Sequence, residues 1–299
     1  MHNGASVIIP TFGRTLPVID TLYDLFHQNF TDFEVILIDQ NQPPLELPQE
    51  LQTWPRLKHH KVSFKGSHLA RNYAVERAYY DLCIFVDDDV SLGPSFIATH
   101  LEQLAEFKKS DALLAGLAGR VLQPKDGFDD HYMASNQRRP SYDSRTGRVS
   151  GNFFGLQALY ADHIHECNFS LEKAVYLDVG GFDSAFAGNA YFEGADLALK
   201  IKRLGRRFMF SPTPSLVHHQ APSGGNREID KAKHTYWFVR NYCLLNSRYQ
   251  DKRIHFRLLF VGYLAIFVSG RALKNRNRTI LLKGFQALTE GLGLLFCRR

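Results

Sequence analysis

Three short apolar runs near the N-terminus, Val7 to Ile9, Glu34 to Ile38 and Leu82 to Val86, have the length and β-branched content of buried strands, with a weaker candidate at Leu57 to Ser63. Segments of helix length separate them: Leu16 to Gln28, and Ser67 to Tyr80 with apolar residues at Leu69, Tyr73, Val75 and Ala78. Strands and helices alternating in this way argue for a doubly wound α/β fold with a mostly parallel central sheet. In such sheets ligands bind beyond the carboxyl ends of the strands. Each candidate strand runs into polar residues at that end: Pro10-Thr11 with Arg14, then Asp39, then Gly66-Ser67, then Asp87 to Asp89. Four such ends on one crevice, with acids and an arginine among them, resemble a nucleotide site.

The last of these ends is the sharpest signal. In DLCIFVDDDV (81–90) a buried strand delivers three consecutive carboxylates, which repel one another. They are either splayed in solvent as an ordinary turn or gathered round a cation.

A chain of 299 residues, 44% apolar and 22% charged, is long enough for one large domain with an appendage or for two domains. Its four cysteines, Cys83, Cys167, Cys243 and Cys297, form no CxxC pair, which argues against a disulfide framework or a cysteine zinc site and for a reducing compartment. The N-terminus MHNGASVIIPTFGR has neither a basic start nor a long apolar stretch, and the expectation is a cytosolic protein, possible membrane contact aside. The formal charge of +6 is uneven: residues 252–299 hold ten Lys or Arg against Glu290, so they carry +9 and the rest of the chain −3.

Residues 123–157 are polar and without sustained periodicity, the signature of a functional or mobile loop. Ala174 to Val179 reads as the end of a helix closed by Gly180-Gly181, and Asp196 as the opening of another with Leu197, Ile201 and Leu204 on one face. Strands are expected at Arg207 to Phe210 and, after SPTP, at Ser215 to His218.

The order VIIPTFGR, VILIDQN, GSHLARN, FVDDD, GGFD, EGADLALKIKRLG, LVHHQAPSGGNR resembles the family 2 glycosyltransferases over roughly residues 4–250. The resemblance implies the GT-A (nucleotide-diphospho-sugar transferase) fold, an inverting mechanism, and a divalent ion, Mg²⁺ or Mn²⁺. It implies that Asp89 binds that ion, that Asp87 contacts the ribose or the metal shell with Asp88 between them, and that His218 completes the shell; the doublet with His219 leaves that register open. Carboxylates and a diphosphate share a pocket only if such a hard, oxygen-seeking ion neutralises them. Pro10, Thr11 and Arg14 match the motif that holds base and pyrophosphate, and Asp39 the acid that binds the uracil ring, with Gln40 where a second acid is usual. Gly66 would let the chain pass close to the nucleotide. Arg71, beside Asn72, would meet phosphate oxygens, or alternatively pair with Glu76 or Asp81 on a solvated face. SGGNR (223–227) resembles a lid with Arg227 available to the leaving diphosphate. Asn168 and Asp183 match positions lining the sugar or acceptor side, or are a turn residue and a cap.

Inversion also needs a base on the acceptor side. In the family it comes from an ED-x-[DE] motif at a helix start, which here reads Glu193, Gly194, Ala195, Asp196, the usual second acid being glycine. Glu193 is the preferred base; Asp196 is the alternative, or an N-cap. His163, His165 and Glu166 in DHIHE have the spacing of a metal site, but alternating histidines fit a strand edge equally.

Two units follow: residues 1–250 as the GT-A domain and 251–299 as a basic amphipathic helical tail. The uncharged run Leu258 to Gly270 is thirteen residues, short of the ~20 that cross a bilayer, and its flanking Lys and Arg suit a helix lying on an anionic membrane or packed on the protein. The expected reaction is metal-dependent transfer from a UDP- or dTDP-linked sugar to a hydroxyl of a surface glycan or lipid-linked acceptor. The alternatives are a catalytically impaired scaffold or binding subunit, raised by Gly194, or a sugar-phosphate nucleotidyltransferase, which would want more glycines than PTFGRT offers. Without aromatic interleaving or a binding module, nucleic acid is not an expected partner.

Overall fold

The computed structural model describes residues 4–124, 139–225 and 230–296. Its N-terminal half alternates as the periodicity suggests: β1 (Ala5–Thr11), α1 (Leu16–Phe26), β2 (Phe33–Asp39), the single-turn α2 (Gln49–Gln52), β3 (Leu57–Lys61), α3 (Ser67–Arg77) and β4 (Leu82–Val86). Every residue of β1, β2 and β4 is buried, as expected of strands covered on both faces. Then follow β5 (Val90–Leu92), α4 (Phe96–Ser110), β6 (Leu114–Leu122), the hairpin β7 (Ser141–Asp143) with β8 (Arg148–Ser150), β9 (Leu159–Ala161), β10 (Asn168–Glu172), α5 (Lys173–Asp178), α6 (Glu193–Arg203) and β11 (Arg207–His218).

The main sheet has nine strands in the order β3-β2-β1-β4-β10-β6-β11-β5, with β9 also on β11. The first four are parallel; β10 inserts antiparallel between β4 and β6, and β11 returns parallel to β6. β4 is thus hydrogen-bonded on both sides, by β1 and β10. The aspartates that follow it emerge at the middle of the sheet's edge. The β5–β11 register sets His218 opposite Val90, one residue beyond Asp89. Topology therefore makes the Asp–His encounter, across some 130 residues of chain.

Phe85 of β4 stacks on Phe169 of β10 with ring centroids 4.2 Å apart, at the centre of the main core. α4 covers this part of the sheet and buries His100, whose ring nitrogens lie 3.1 Å from Ser170 Oγ and 3.0 Å from Asn168 Oδ1. A second core forms where Phe186, Ala195 and Leu199 meet Tyr242, Leu245, Phe260, Leu264 and Leu295. These last belong to α7 (Lys231–Tyr249), α8 (Ile254–Lys274) and α9 (Arg278–Phe296). The helices approach closely: a Cβ at Gly291 would lie 2.5 Å from Cys243 Sγ.

Several expectations are corrected. α6 opens at Glu193, after Phe192 in a left-handed conformation (φ 72°), so Asp196 sits inside the first turn and is no N-cap. Leu204 lies beyond that helix and is exposed. The two strands expected either side of SPTP are one irregular strand, β11, with a register shift between Ser211 and Ser215. The long polar segment contains the β7–β8 hairpin, and its residues 125–138 lie outside the described ones. The thirteen-residue run is the middle of a 21-residue helix that also takes in Arg257 and Arg271. By length and composition α8 is long and apolar enough to cross a membrane.

Burial holds the His100 imidazole down at about 4, from an ordinary 6.5, despite the Asn168 bond. The unfolded chain takes up a proton below pH 6.5 and the folded chain does not, so this group destabilises the fold as pH falls from 6.5 towards 4, by about 3 kcal/mol at the lower end. Urea midpoints between pH 7.5 and 5 should fall less steeply in His100→Gln than in the unmodified protein. Parallel slopes would remove His100 from the acid response.

Candidate active site

The three aspartates after β4 are neither splayed in water nor left to repel one another. Asp88, 2% exposed, accepts from Thr11 Oγ1 at 2.6 Å and pairs with the Arg14 guanidinium. Asp89, equally buried, accepts from the Ala221 amide at 2.7 Å and lies 3.2 Å from both Arg14 Nη1 and His218 Nε2. Asp87 is more open; it accepts from Arg71 Nη2 at 2.9 Å and lies 3.9 Å from His218 Nε2. Two guanidiniums and one imidazole thus face three carboxylates. Burial pushes Asp88 up to about 6 in spite of Arg14 and Thr11. Burial opposes ionisation of Asp89 too, but His218, Arg14 and the Ala221 amide outweigh it and hold Asp89 at about 2. Burial alone would lower His218, yet its close contact with Asp89 and the charges of Asp87 and Asp89 raise it above the usual histidine value.

The ligand atoms of Asp87, Asp89 and His218 lie within 4.8 Å of one another. Asp89 Oδ1 makes no well-aligned hydrogen bond despite its two charged neighbours, and His218 Nδ1 is buried without a partner. Two carboxylates and one imidazole, with such unused ligand atoms, fit a divalent cation of the Mg²⁺ or Mn²⁺ type. His219 points elsewhere, its Nε2 2.7 Å from Ser91 Oγ, so of the doublet it is His218 that lies beside the aspartates.

Two cavities meet at Arg71 and Asp87. The smaller, about 110 Å³, is walled by the strand ends: Pro10, Phe12, Arg14, Gln40, Gly66 and Asp88 are among its residues. The larger, about 550 Å³, opens on the far side and includes Glu193, Glu166, His218 and aromatic rings of α7 and α8. Arg71 is 3% exposed and bridges the two, its Nη1 2.8 Å from Glu193 Oε1. Arg71 therefore has no part in the solvated pairing considered above; it is Arg77 that meets Glu76. Burial pushes the Glu193 carboxyl up, Arg71 lowers it, and nearby Glu166 raises it again; burial prevails.

Residues 6–166 match the family described as "Glycosyl transferase family 2". The chain belongs to that family. This glycosyltransferase resembles, among solved structures, S. aureus TarS 1–349 in complex with UDP-GlcNAc (TM-score 0.60, 15% identity, covering 98% of this chain and 81% of that one). It also resembles the mannosyltransferase PcManGT of Pyrobaculum calidifontis in complex with GDP-Man and Mn²⁺ (0.55, 14%, 97% and 75%), and GalNAc-T7 with UDP, GalNAc and Mn²⁺ (0.55, 13%, 85% and 53%). At such identities the likeness is one of fold, and that fold is GT-A. No curated protein matches the sequence.

Within the transferase several candidates turn inward. Asp39 is fully buried and does not line the smaller cavity: Oδ1 accepts from the Asn41 amide and Nδ2, Oδ2 from the Leu45 amide at 2.7 Å with His59 3.1 Å away. Its acceptors are consumed in shaping the loop after β2, while neighbouring Gln40, which accepts from the Gly66 amide at 2.7 Å, lines the cavity. Asp196 belongs to neither cavity; Arg248 at 2.8 Å, Tyr249 at 2.9 Å and Lys200 at 3.2 Å surround it. That ion cluster ties α6 to α7. Asp183 pairs with the same Arg248 and caps the Ala185 amide. Asn168 is buried among Arg120 O, Pro214 O and His100, and Asn72 holds the Phe182 backbone. His163 and His165 lie past the end of β9 and line the larger cavity; among the described residues the group that could hold an ion with His165 is Cys167 and His218, without His163 or Glu166. Ser223 O accepts from Arg14 Nε, whereas Arg227 lies outside the described residues. Ser67, read with Gly66 as a polar strand end, lines the smaller cavity, whereas sequence reasoning missed Phe12 there and the aromatic wall of the larger one, neither of which carries a charge signal.

Arg71 is the sole cation on Glu193 among the described residues. Arg71→Met leaves two carboxylates short of a buried partner and should cost about 3–5 kcal/mol in urea unfolding. Adding Glu193→Gln should restore part of that loss; no recovery would contradict the pairing.

Proposed function

We propose that this family 2 enzyme transfers a sugar, with inversion, from a UDP- or dTDP-linked donor to a hydroxyl of a glycan or a lipid-linked acceptor. The observation that carries the reading is the meeting of two cavities at Arg71 and Asp87, one walled by strand ends, the other by acids and aromatic rings. The nucleotide would enter the smaller, with Phe12, Gln40 and the close-approaching Gly66 (φ 134°) around it, and the acceptor the larger. Asp89, Asp87 and His218 would hold Mg²⁺ or Mn²⁺, which when bound neutralises the donor diphosphate. Arg71 would meet phosphate oxygens, and Arg14 with Thr11 would hold Asp88 so that the pair beside it keeps its geometry. A carboxylate in the larger cavity would take the acceptor's proton on the face opposite the leaving diphosphate. Of the two acids in EGAD, Glu193 alone is there. TarS with UDP-GlcNAc, PcManGT with GDP-Man and Mn²⁺, and GalNAc-T7 with UDP and Mn²⁺ support donor and metal by kinship of fold.

Residues 1–250 would form the transferase unit, and the basic helices of 251–299 its contact with the inner face of a membrane. α8 and α9 bury one side on α7 and expose Leu258, Leu259, Ile266, Leu273 and Leu282 on the other, near Arg257, Arg271 and Lys283. Apolar side chains edged by cations suit an anionic lipid surface. Replacing Leu259, Ile266 and Leu273 together by Gln should abolish co-sedimentation with phosphatidylglycerol vesicles and leave the fold intact; unchanged binding would exclude this surface.

The main test incubates the protein with UDP- and dTDP-sugars and Mn²⁺ and follows nucleoside diphosphate release. Release should be lost with EDTA and fall roughly 100-fold or more in Asp89→Asn. Metal-dependent nucleotide binding without release from any donor would favour a scaffold. In calorimetry Mn²⁺ should bind more tightly as pH rises through the raised His218 titration, because the ion displaces that proton. His218→Ala should weaken binding and flatten its pH dependence; an unaltered profile would remove His218 from the shell.

A further inference from the structure

Glycine stands second in EGAD, yet a carboxylate occupies the space beside it. Gly194 lies in the first turn of α6, and a Cβ there would fall 2.3 Å from Glu166 Oε1, 2.9 Å from Glu166 Cδ and 2.9 Å from the Ile164 carbonyl oxygen, so a side chain at 194 needs both the loss of Glu166 and a small shift of that carbonyl. The Gly194 amide donates to that same oxygen at 2.8 Å. Glu166, arriving from the segment before β10, thus fills the volume that a side chain at 194 would take. The amide at the positive end of the helix holds its charge.

Glu166 and Glu193 both line the larger cavity, but they are differently available. Glu193 is 3% exposed; its Oε1 is bound by Arg71 at 2.8 Å and Ser67 at 3.3 Å, and its Oε2 is buried without a partner. Glu166 is half-buried, and its Oε2 has no hydrogen bond among the described residues. A base has to come within hydrogen-bond reach of the hydroxyl it deprotonates. Glu166 offers an open oxygen to the cavity without breaking an ion pair.

We propose that Glu166 is the base of the transfer, and that Glu193 is a positioning residue that holds Arg71 against Asp87. The proposal rests on the glycosyltransferase reading above. In the step the acceptor O–H bond breaks and its proton passes to Glu166 Oε2, while the oxygen bonds to the anomeric carbon. The bond from that carbon to the donor's diphosphate oxygen breaks on the opposite face, its electron pair leaving with the diphosphate.

The experiment measures nucleoside diphosphate release, with water as acceptor, from UDP-glucose, UDP-N-acetylglucosamine and dTDP-glucose with Mn²⁺, beside UDP affinity by calorimetry. If the unmodified protein releases nothing, the glycosyltransferase reading itself fails. If it does, Glu166→Gln should lose roughly 100-fold in release or more while its UDP affinity stays within a factor of about two. The charge swap Glu166→Gly with Gly194→Asp, which hangs the carboxylate from the helix instead, should recover at least about tenfold over Glu166→Gly alone, and so should added formate. Release by Glu166→Gln within about threefold of the unmodified protein would overturn the proposal, as would a folded, UDP-binding swap variant with no recovery and no response to formate. Should the swap fail to fold by circular dichroism, Glu166→Gln and formate rescue decide.

Discussion

Everything at the candidate site depends on how three adjacent carboxylates are kept together. Two unit charges 4 Å apart at an effective dielectric near 20 repel by about 4 kcal/mol, so Asp87, Asp88 and Asp89 need compensation wherever they are buried. The fold supplies it from three separate elements: Arg14 from the turn after β1, Arg71 from α3 and His218 from the end of β11. Each cation reaches the triplet because the parallel strands end along one edge. The three acids also acquire different characters. Asp88 is an internal partner of Arg14 and Thr11, while Asp87 and Asp89 face His218 across a gap that fits an ion.

The N-terminal half was legible because its forces are local and periodic. Buried strands read as continuous apolar runs, and the polar residues at their carboxyl ends mark the crevice before any contact is known. Contacts made across long stretches of chain were harder to read. Asp39 looks free in VILIDQN, but its acceptors are taken by Asn41, Leu45 and His59. Asp196 has the spacing to share a face with Glu193, yet Arg248 and Tyr249, some fifty residues later, claim it. Glu166 reads in DHIHE only as a possible metal ligand, and its place against Gly194 shows only once the chain is folded.

The C-terminal helices are more than an appendage to the sheet. Tyr242 packs on Phe192 with ring centroids 4.2 Å apart, and Phe238, Tyr242 and Tyr263 wall the larger cavity. Whatever enters there touches both α6 and the helices whose outer faces carry exposed leucines. α8 thus contributes both to the cavity, through Tyr263, and to the exposed apolar surface, through Leu258, Leu259, Ile266 and Leu273.

The most direct measurement is a crystal structure of the protein with UDP and Mn²⁺, the ion placed by its anomalous scattering. The account predicts the ion among Asp87, Asp89 and His218, the pyrimidine near Phe12 and Gln40, and the larger cavity left open to an acceptor. An ion seated instead on His165, Cys167 and His218, or a nucleotide lying in the larger cavity, would contradict it.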